Sequence, residues 1–592
     1  PPHEYSEKTA KRLSKFGVNM VRTHQMDAEW CTPNIFCFTR GKERDNSLLF
    51  DPESLDRFDY MIHCLKNEGI YVYLDQLSHR TFKPGDGVDN PHGLPRYGAH
   101  GYTNFDAKLI ELQKKYSHDL WTHVNPYTGL AYRDDPAIAL MEIANENDLL
   151  SRELITAEPY RSRLEERYRT WAAERDLPVA DEPVDFTNRT PVMLRFLHDV
   201  QVGFYDDMVS YLRSIGVKVP ITGSNWYHGG LALTSALQGL DYRDAHAYWD
   251  MWSDTQGNNK PLIREEDNIM LRGLCSARLL DRPFFVSEWD VVWPNEWRGT
   301  APLVMASAGC LQGWNGLTIH TYRYRSTSPV DCMGAVVMDG VGYRVNFDTF
   351  NDPARFGLFY HAALMFRRGD VAAGGKTVGV TADEETVFGS PNAAMDIMGT
   401  LPEEHRAGVV LPGESTPVDI TIDAAGEKHA GNGEIVSDTG EIRRDAAKGI
   451  GSIDTANTKA AYGFLGEAGE IALDGLKLTV KTPFAVVALS SLTDDPIASS
   501  TNLLLTTVGR ADNTGAKYNE DHTRRLELGH APVIVEVIEA AIELATTQEH
   551  LQVWAIDPEG HLTGRVPAAR EDGVLKFDVG ETFPSMYYLI QR

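Results

Sequence analysis

The stretch Leu55–Leu74, LDRFDYMIHCLKNEGIYVYL, decides the reading of the fold. Leu55, Phe58, Met61, Ile62 and Leu65 recur at the spacing of one helix face, Gly69 offers a left-handed stop, and Ile70 to Leu74 follows as a short apolar run. A helix, a glycine and a buried strand make up one turn of a βα repeat. The same grammar runs from residue 11 to about residue 367, with candidate strands at 19–22, 70–74, 137–143, 219–223, 241–246, 284–287 and 316–320. Such alternation predicts an α/β fold with parallel strands.

These strands fall one short of an eight-stranded (β/α)8 TIM barrel. The chain opens on a helix-like stretch over residues 5–16, which would ordinarily follow a first strand. That strand is expected either to have been removed with a natural N-terminus or to come from elsewhere in the chain. An open doubly wound sheet would instead offer a glycine-rich phosphate turn after an early strand, and neither GxGxxG nor a P-loop occurs. The expectation is a (β/α)8 barrel over residues 1–370, with a helical insertion near 151–189 where Arg and Glu recur at helical spacing. Past residue 370, short β-branched runs at 409–411, 476–480, 485–489 and 533–537 alternate with Gly, Asp and Asn turns. This predicts an all-β, β-sandwich accessory region over 371–592, with the polar stretch 423–451 as a mobile loop.

Composition sets outer limits. Apolar residues at 42% and charged residues at 24% of 592 are those of a globular chain, which argues against collagen-like, coiled-coil and disordered readings. The formal charge of −27 repels phosphate backbones and anionic membrane surfaces, so neither nucleic acid nor membrane is an expected partner. The chain starts at Pro1 without an initiator Met or a charged-then-apolar leader, which reads as a mature or trimmed product, and an extracellular or periplasmic setting fits that reading. All six cysteines (Cys31, Cys37, Cys64, Cys275, Cys310 and Cys332) lie in the first 332 residues without zinc-ligand spacing. They read as free thiols, a Cys31–Cys37 bridge being open to a secreted chain.

Chemistry is sought at the C-terminal ends of the candidate strands, the active face of a barrel. Ala137-Ile138-Ala139-Leu140-Met141-Glu142-Ile143-Ala144 ends in Asn145-Glu146-Asn147, and Pro283-Phe284-Phe285-Val286-Ser287 ends in Glu288-Trp289. A single strand-end Glu is often no more than a salt-bridged terminus. Glu146 and Glu288 together, on the strands counted fourth and seventh of eight, would face each other across the mouth. Glycoside hydrolysis needs such a pair, one carboxyl giving a proton to the leaving oxygen while the other attacks the anomeric carbon. No organic cofactor or metal is called for. His-x-His, which a metallohydrolase would want on an early strand, is absent, as is a GxSxG elbow.

In these motifs the chain resembles glycoside hydrolase clan A, the barrel glycosidases that include the family 5 cellulases and mannanases, over residues 11–367. The resemblance implies Glu146 of Asn145-Glu146 as acid/base and Glu288 as nucleophile. It also implies Arg22, in Val21-Arg22-Thr23-His24, as support for the nucleophile, and Tyr248, in His246-Ala247-Tyr248, as its hydrogen-bond donor. Family 5 usually has Pro after Asn-Glu, where this chain has Asn147, and the strand-eight Trp of the family could correspond to Trp314, which sits early in its strand.

The supporting residues have plainer readings too. Arg22 could pair with Asp27 or Asp75, and His24, His79, His246 and His320 could each be structural, although together they suit sugar hydroxyls. Seven of the eleven tryptophans (Trp226, Trp249, Trp252, Trp289, Trp293, Trp297 and Trp314) fall within 89 residues, and Trp226 and Trp289 among them are candidate stacking faces for a pyranose, joined by Trp30 and Tyr102. The expected function is a retaining β-glycoside hydrolase acting on a carbohydrate substrate, β-linked oligo- or polysaccharide. The alternative is a barrel that binds carbohydrate and has lost catalysis.

Overall fold

The structure is a computed structural model and describes residues 1–592 except 32, 96–97, 152–154, 180–181, 254, 324–345 and 432. Its N-terminal part alternates helices with parallel strands. Helix α1 (His3–Lys15) precedes β1 (Met20–Thr23), and α2 (Pro52–Asn67) precedes β2 (Tyr71–Leu77). Then come α3 (Ala107–Thr122), β3 (Ile138–Ala144), α4 (Tyr160–Ala173), α5 (Pro191–Ser214), β4 (Ile221–Thr222) and α6 (Gly230–Ala236). Strand β5 (Arg243–Trp249), α7 (Ile269–Ala277), β6 (Phe284–Val291), α8 (Ala301–Gln312), β7 (Gly316–Ile319) and α9 (Phe359–Arg368) complete the series.

The α2–β2 unit shows why these segments form. The Asp51 carboxylate caps α2 by accepting from the N–H groups of Glu53 and Ser54, and Pro52 sits where a missing N–H costs nothing. Gly69 closes the helix at φ +72°, a conformation that disfavours a side chain. Ile62, Leu65, Ile70, Val72 and Leu74 then enter one continuous core.

Among the described residues the strands form two parallel arcs, β1-β2-β3-β4 and β5-β6-β7. The arcs are joined between β4 and β5 by Asp241 N–H to Ile221 O at 3.1 Å and His246 N–H to Asn225 O at 3.0 Å. On the other side no described strand stands between β7 and β1, where an eighth was expected. A groove of about 1660 Å³ lies there instead, lined by α1, α2, α8 and α9 and reaching His24, Trp30 and His320 at its mouth. Helix α4 lies within the expected insertion.

The region after α9 departs from the expectation of β structure alone. Strands β8 (Thr377–Thr381), β9 (Arg406–Val410) and β10 (Ile420–Asp423) form a further parallel sheet in the order β10-β8-β9, with helices α10 (Glu384–Gly389), α11 (Ala393–Met398) and α12 (Leu401–Glu404) between β8 and β9. Ile397, Met398, Val380 and Val409 belong to the same core as α6 and α7, so apolar periodicity too short to show in the sequence ties this segment to the α/β part. The stretch read as a mobile loop contains strands Ile435–Val436 and Ile442–Asp445, paired antiparallel. Among the described residues these two strands open a nine-stranded sheet, which shares with a five-stranded sheet an aliphatic core that includes Val487, Leu489, Leu505, Leu478, Ile542 and Phe577.

The thiols of Cys31 and Cys37 are free, as the sequence reads them, without the bridge left open there, and Cys37 Sγ lies 3.0 Å from Thr39 O. Cys332 lies outside the described residues. Among the described residues no helix is long and apolar enough to cross a membrane.

Candidate active site

The C-terminal ends of β1 to β7 converge on a buried cluster of charge. Arg22 leaves β1 toward the interior, and its guanidinium links three strands. Nη1 donates to Glu288 Oε1 at 2.6 Å, Nη2 to Asn145 Oδ1 at 2.7 Å, and Nε to Glu142 Oε1 at 3.0 Å. Nη2 also donates to Glu142 and, at 3.5 Å, to Asp75 Oδ2. Burial alone would lower the pKa of Arg22, but Glu142, Asp75 and Glu288 hold it well above the usual value.

Glu288 is buried in β6, in register with His246 of β5. Tyr248 Oη donates to Glu288 Oε2, His320 Nδ1 lies 3.4 Å from the same oxygen, and His24 Nε2 lies 3.5 Å from Oε1. Burial would raise the pKa of this carboxyl, yet His246, His320, His24 and Arg22 outweigh it and hold Glu288 well below the ordinary range. Burial drives His24 to about 3 and His320 to about 4, so both act as neutral rings. His24 Nδ1 is 2.6 Å from Asp75 Oδ2, which fixes the ring and turns Nε2 to Glu288.

Glu146 stands differently. It follows β3 in a left-handed backbone conformation, φ +44°, which a side chain disfavours by about 1 kcal/mol or more and which surrounding contacts must impose. Asn225 supplies one such contact, its Oδ1 accepting the Glu146 N–H at 2.8 Å. The Glu146 carboxylate is partly exposed and meets His246 Nδ1 at 2.9 Å, while His246 Nε2 meets Ser287 Oγ at 2.8 Å. One oxygen of Glu146, one of Glu288 and a ring nitrogen of His246 all lie within 4.8 Å of one another.

Of the residues picked out in the sequence, Arg22, His24, Asn145, Glu146, His246, Tyr248, Glu288 and His320 thus occupy one site. Asn145 ties Arg22 to Asn225. His79 is half-buried one ring further out, its centroid 5.6 Å from His24 and 4.7 Å from exposed Trp30. Trp226 abuts His246 edge-on at 6.4 Å.

Other aromatic expectations need correction. Trp289 follows Glu288 on its strand, so strand alternation turns it to the other face, and it is buried in the core rather than presented to a ligand. Trp314 is buried against Phe284 at the start of β7, and the residue ending that strand at the site is His320. Tyr102 is buried too, its hydroxyl accepting from the N–H groups of Thr156 and Ala157. Trp297 packs on Phe464 and Phe484 and bonds Asn259 O, which makes it a strut between rim and C-terminal sheets.

Several site residues escaped the reading of the sequence. Glu142, Asn225, Tyr73 and Asp244 form the floor, all buried, together with Asp75, which the sequence offered only as a plain partner for Arg22. The one usable signal was Glu142, a charged residue inside an apolar strand. Two sets, His24-Glu288-His320 and Glu146-His246-Glu288, have the ligand types and spacing to hold a metal ion. Both Glu288 oxygens, however, already accept from Arg22 and Tyr248, so these sets read as hydrogen-bonding shells around a carboxylate.

No protein-family model and no curated protein matches the chain. Solved structures similar to it at low identity include the following three. The endo-β-1,4-mannanase from Thermotoga petrophila shares 12% identity over 98% of this chain and 94% of its own, with a TM-score of 0.40. The endo-1,4-β-mannanase from Rhizomucor miehei shares 14% over 62% and 92%, with a TM-score of 0.40. GH5_18 from Streptomyces cattleya, in complex with GlcNAc, shares 13% over 71% and 92%, with a TM-score of 0.42. The chemistry available to this chain is therefore read from its own site.

Proposed function

We propose that the protein is a retaining β-glycoside hydrolase that acts on β-linked oligo- or polysaccharides. The observation that carries this reading is the pairing of two unlike carboxylates, Glu146 just past β3 and Glu288 within β6, with oxygens within 4.8 Å. Carboxyl groups about 5–5.5 Å apart suit double displacement, whereas inversion needs a wider gap for water.

Their surroundings divide the labour. Glu288, ionised and gripped by Arg22 and Tyr248, is oriented to attack the anomeric carbon. Glu146, nearer to solvent and held by His246, is placed to protonate the departing oxygen and then to take a proton from the water that releases the sugar. Neutral His320, with His79, offers ring nitrogens to sugar hydroxyls, and Trp30 and Trp226 offer flanking apolar faces.

The test is hydrolysis of a panel of aryl β-glycosides and β-linked polysaccharides, with the anomer of the first product read by NMR. The reading expects the β-anomer first. It also expects Glu288→Ala to lower kcat at least about 10⁴-fold, and Glu146→Ala to lower it about 10²- to 10⁴-fold. Azide should restore rate where a carboxylate was removed. Inversion, or equal trace rates in all three proteins across the panel, would overturn it.

A further inference from the structure

Beneath Arg22, two carboxyl groups are enclosed by the protein. Asp75 of β2 and Glu142 of β3 are partners in the parallel register, both side chains are fully buried, and a single atom, Arg22 Nη2, contacts both. The hydrogen bonds there are one proton short. Asp75 Oδ2 accepts from Ser78 Oγ and His24 Nδ1, while Asp75 Oδ1 is buried with no donor at all. Glu142 Oε2 accepts from Asn225 Nδ2 and also lies 3.3 Å from Tyr73 Oη, whose only proton is committed at 2.5 Å to Asp244 Oδ2. A single proton on Glu142, given to Asp75 Oδ1 or to Tyr73 Oη, supplies the missing donor.

We propose that Glu142 is held as the neutral acid beside ionised Asp75, and that as a positioning residue it leaves the Arg22 guanidinium committed to Glu288. The positioning role rests on the reading of Glu288 as nucleophile. Two ionised carboxylates below Arg22 would outbid the single one above it, and burying both as charges costs several kcal/mol each. Like-charged neighbours in such a place do not both ionise.

The groups that face Glu142 are Arg22 and His24 from β1, Tyr73 and Asp75 from β2, Asn225 beyond β4, Asp244 and His246 from β5, and Glu288 from β6. Burial first, and then Asp75, outweigh Arg22 and His246 and push Glu142 up to about 8. Asp75 is raised as well, chiefly by burial. Glu142 would therefore ionise in mildly alkaline solution, draw Arg22 downward and loosen its hold on Glu288.

Glu142→Gln retains an acceptor for Arg22 and a donor for Asp75 or Tyr73, and it cannot ionise. Infrared difference spectra at neutral pH are expected to show the C=O stretch of a carboxylic acid in the wild type and in Glu146→Ala, and its loss in Glu142→Gln. The kcat/KM profile of Glu142→Gln should keep its acid limb and move its alkaline limb up by about one pH unit, whereas a purely structural defect would lower the rate alike at every pH. Stability gives a readout that needs no activity. A carboxyl raised from 4.5 to about 8 binds more protons folded than unfolded, so the wild type loses stability as pH rises through that window, and Glu142→Gln flattens the slope. An unchanged infrared spectrum with an unchanged slope overturns the neutral acid. An unmoved alkaline limb overturns the positioning role. A wild type that shows the band yet cleaves no glycoside overturns the glycosidase reading, with the neutral acid intact.

Discussion

The strand ends of the α/β part and the core between the C-terminal antiparallel sheets are buried alike and built oppositely. At the strand ends Arg22, Asp75, Glu142, Asp244, His246 and Glu288 crowd together with almost no exposure. Between the sheets Leu478, Val487, Leu489, Leu505, Ile542 and Phe577 make a hydrocarbon core. The polar groups of those same strands, Ser490 and Thr506, face the other way, onto His361 of α9. Burying apolar area drives folding, whereas burying charge costs free energy that only complete pairing offsets. Under the proposed function, the first region is organised for reaction and the second for stability. The two are coupled through Arg298, which bonds Ala511 O of the C-terminal part and Asp352, while Arg355 bonds Asp352 and Asp290, two residues beyond Glu288.

The sharpest way to break this division is Arg22→Lys. A lysine keeps the charge and loses the fork that reaches Glu288, Glu142 and Asn145 at once. Loss of preorganised donors of this kind costs about 10²- to 10³-fold in rate. The expected result is a fall in kcat of that size with cooperative unfolding retained, read by aryl-glycoside kinetics beside thermal melts. If kcat fell no further than kcat of a surface Arg→Lys control, the charge cluster would not be the working region.

The opposite result is expected of Leu505→Ala. Leu505 is fully buried between the sheets, and such truncations cost about 2–5 kcal/mol. Calorimetry should record the loss, while kcat/KM well below the melting temperature should match the wild type. A drop in kcat/KM without loss of stability would show that the sheet core reaches into the chemistry.

How much of this was legible in the sequence follows from the same division. The α/β alternation stands out because helix and strand periods differ, as in Leu55 to Leu74. Glu146 and Glu288 stand out because each closes an apolar run. The segment around β8, β9 and β10 is hidden because its elements are four to six residues long, too short for a period to show. The floor is hidden for another reason. Asp75 and Glu142 meet only through strand register, Asn225 and Asp244 only where the two arcs join, and none of that is local in the chain. Aromatic density misled at Trp289, because alternation along β6 turns it away from the face that carries Glu288.

The smallest expected effect lies where the two regions touch. His361 is fully buried between α9 and the nine-stranded sheet, with Nδ1 2.8 Å from Ser490 Oγ and Nε2 2.7 Å from Thr506 Oγ1. Burial first, and then Arg368, lower its pKa from 6.5 to about 3, so the folded protein holds it neutral. The unfolded chain takes up a proton there below about 6.5, and the folded chain does not. The contribution of His361 to stability is thus complete above 6.5 and lost progressively as pH falls toward 3. His361→Gln retains a donor and an acceptor but cannot titrate, so it should cost about 1 kcal/mol at neutral pH and show a shallower loss of melting temperature in acid. Parallel acid slopes for the two proteins would mean that the contact opens and admits water before His361 titrates, and the α9 contact would then not be part of the rigid apolar support.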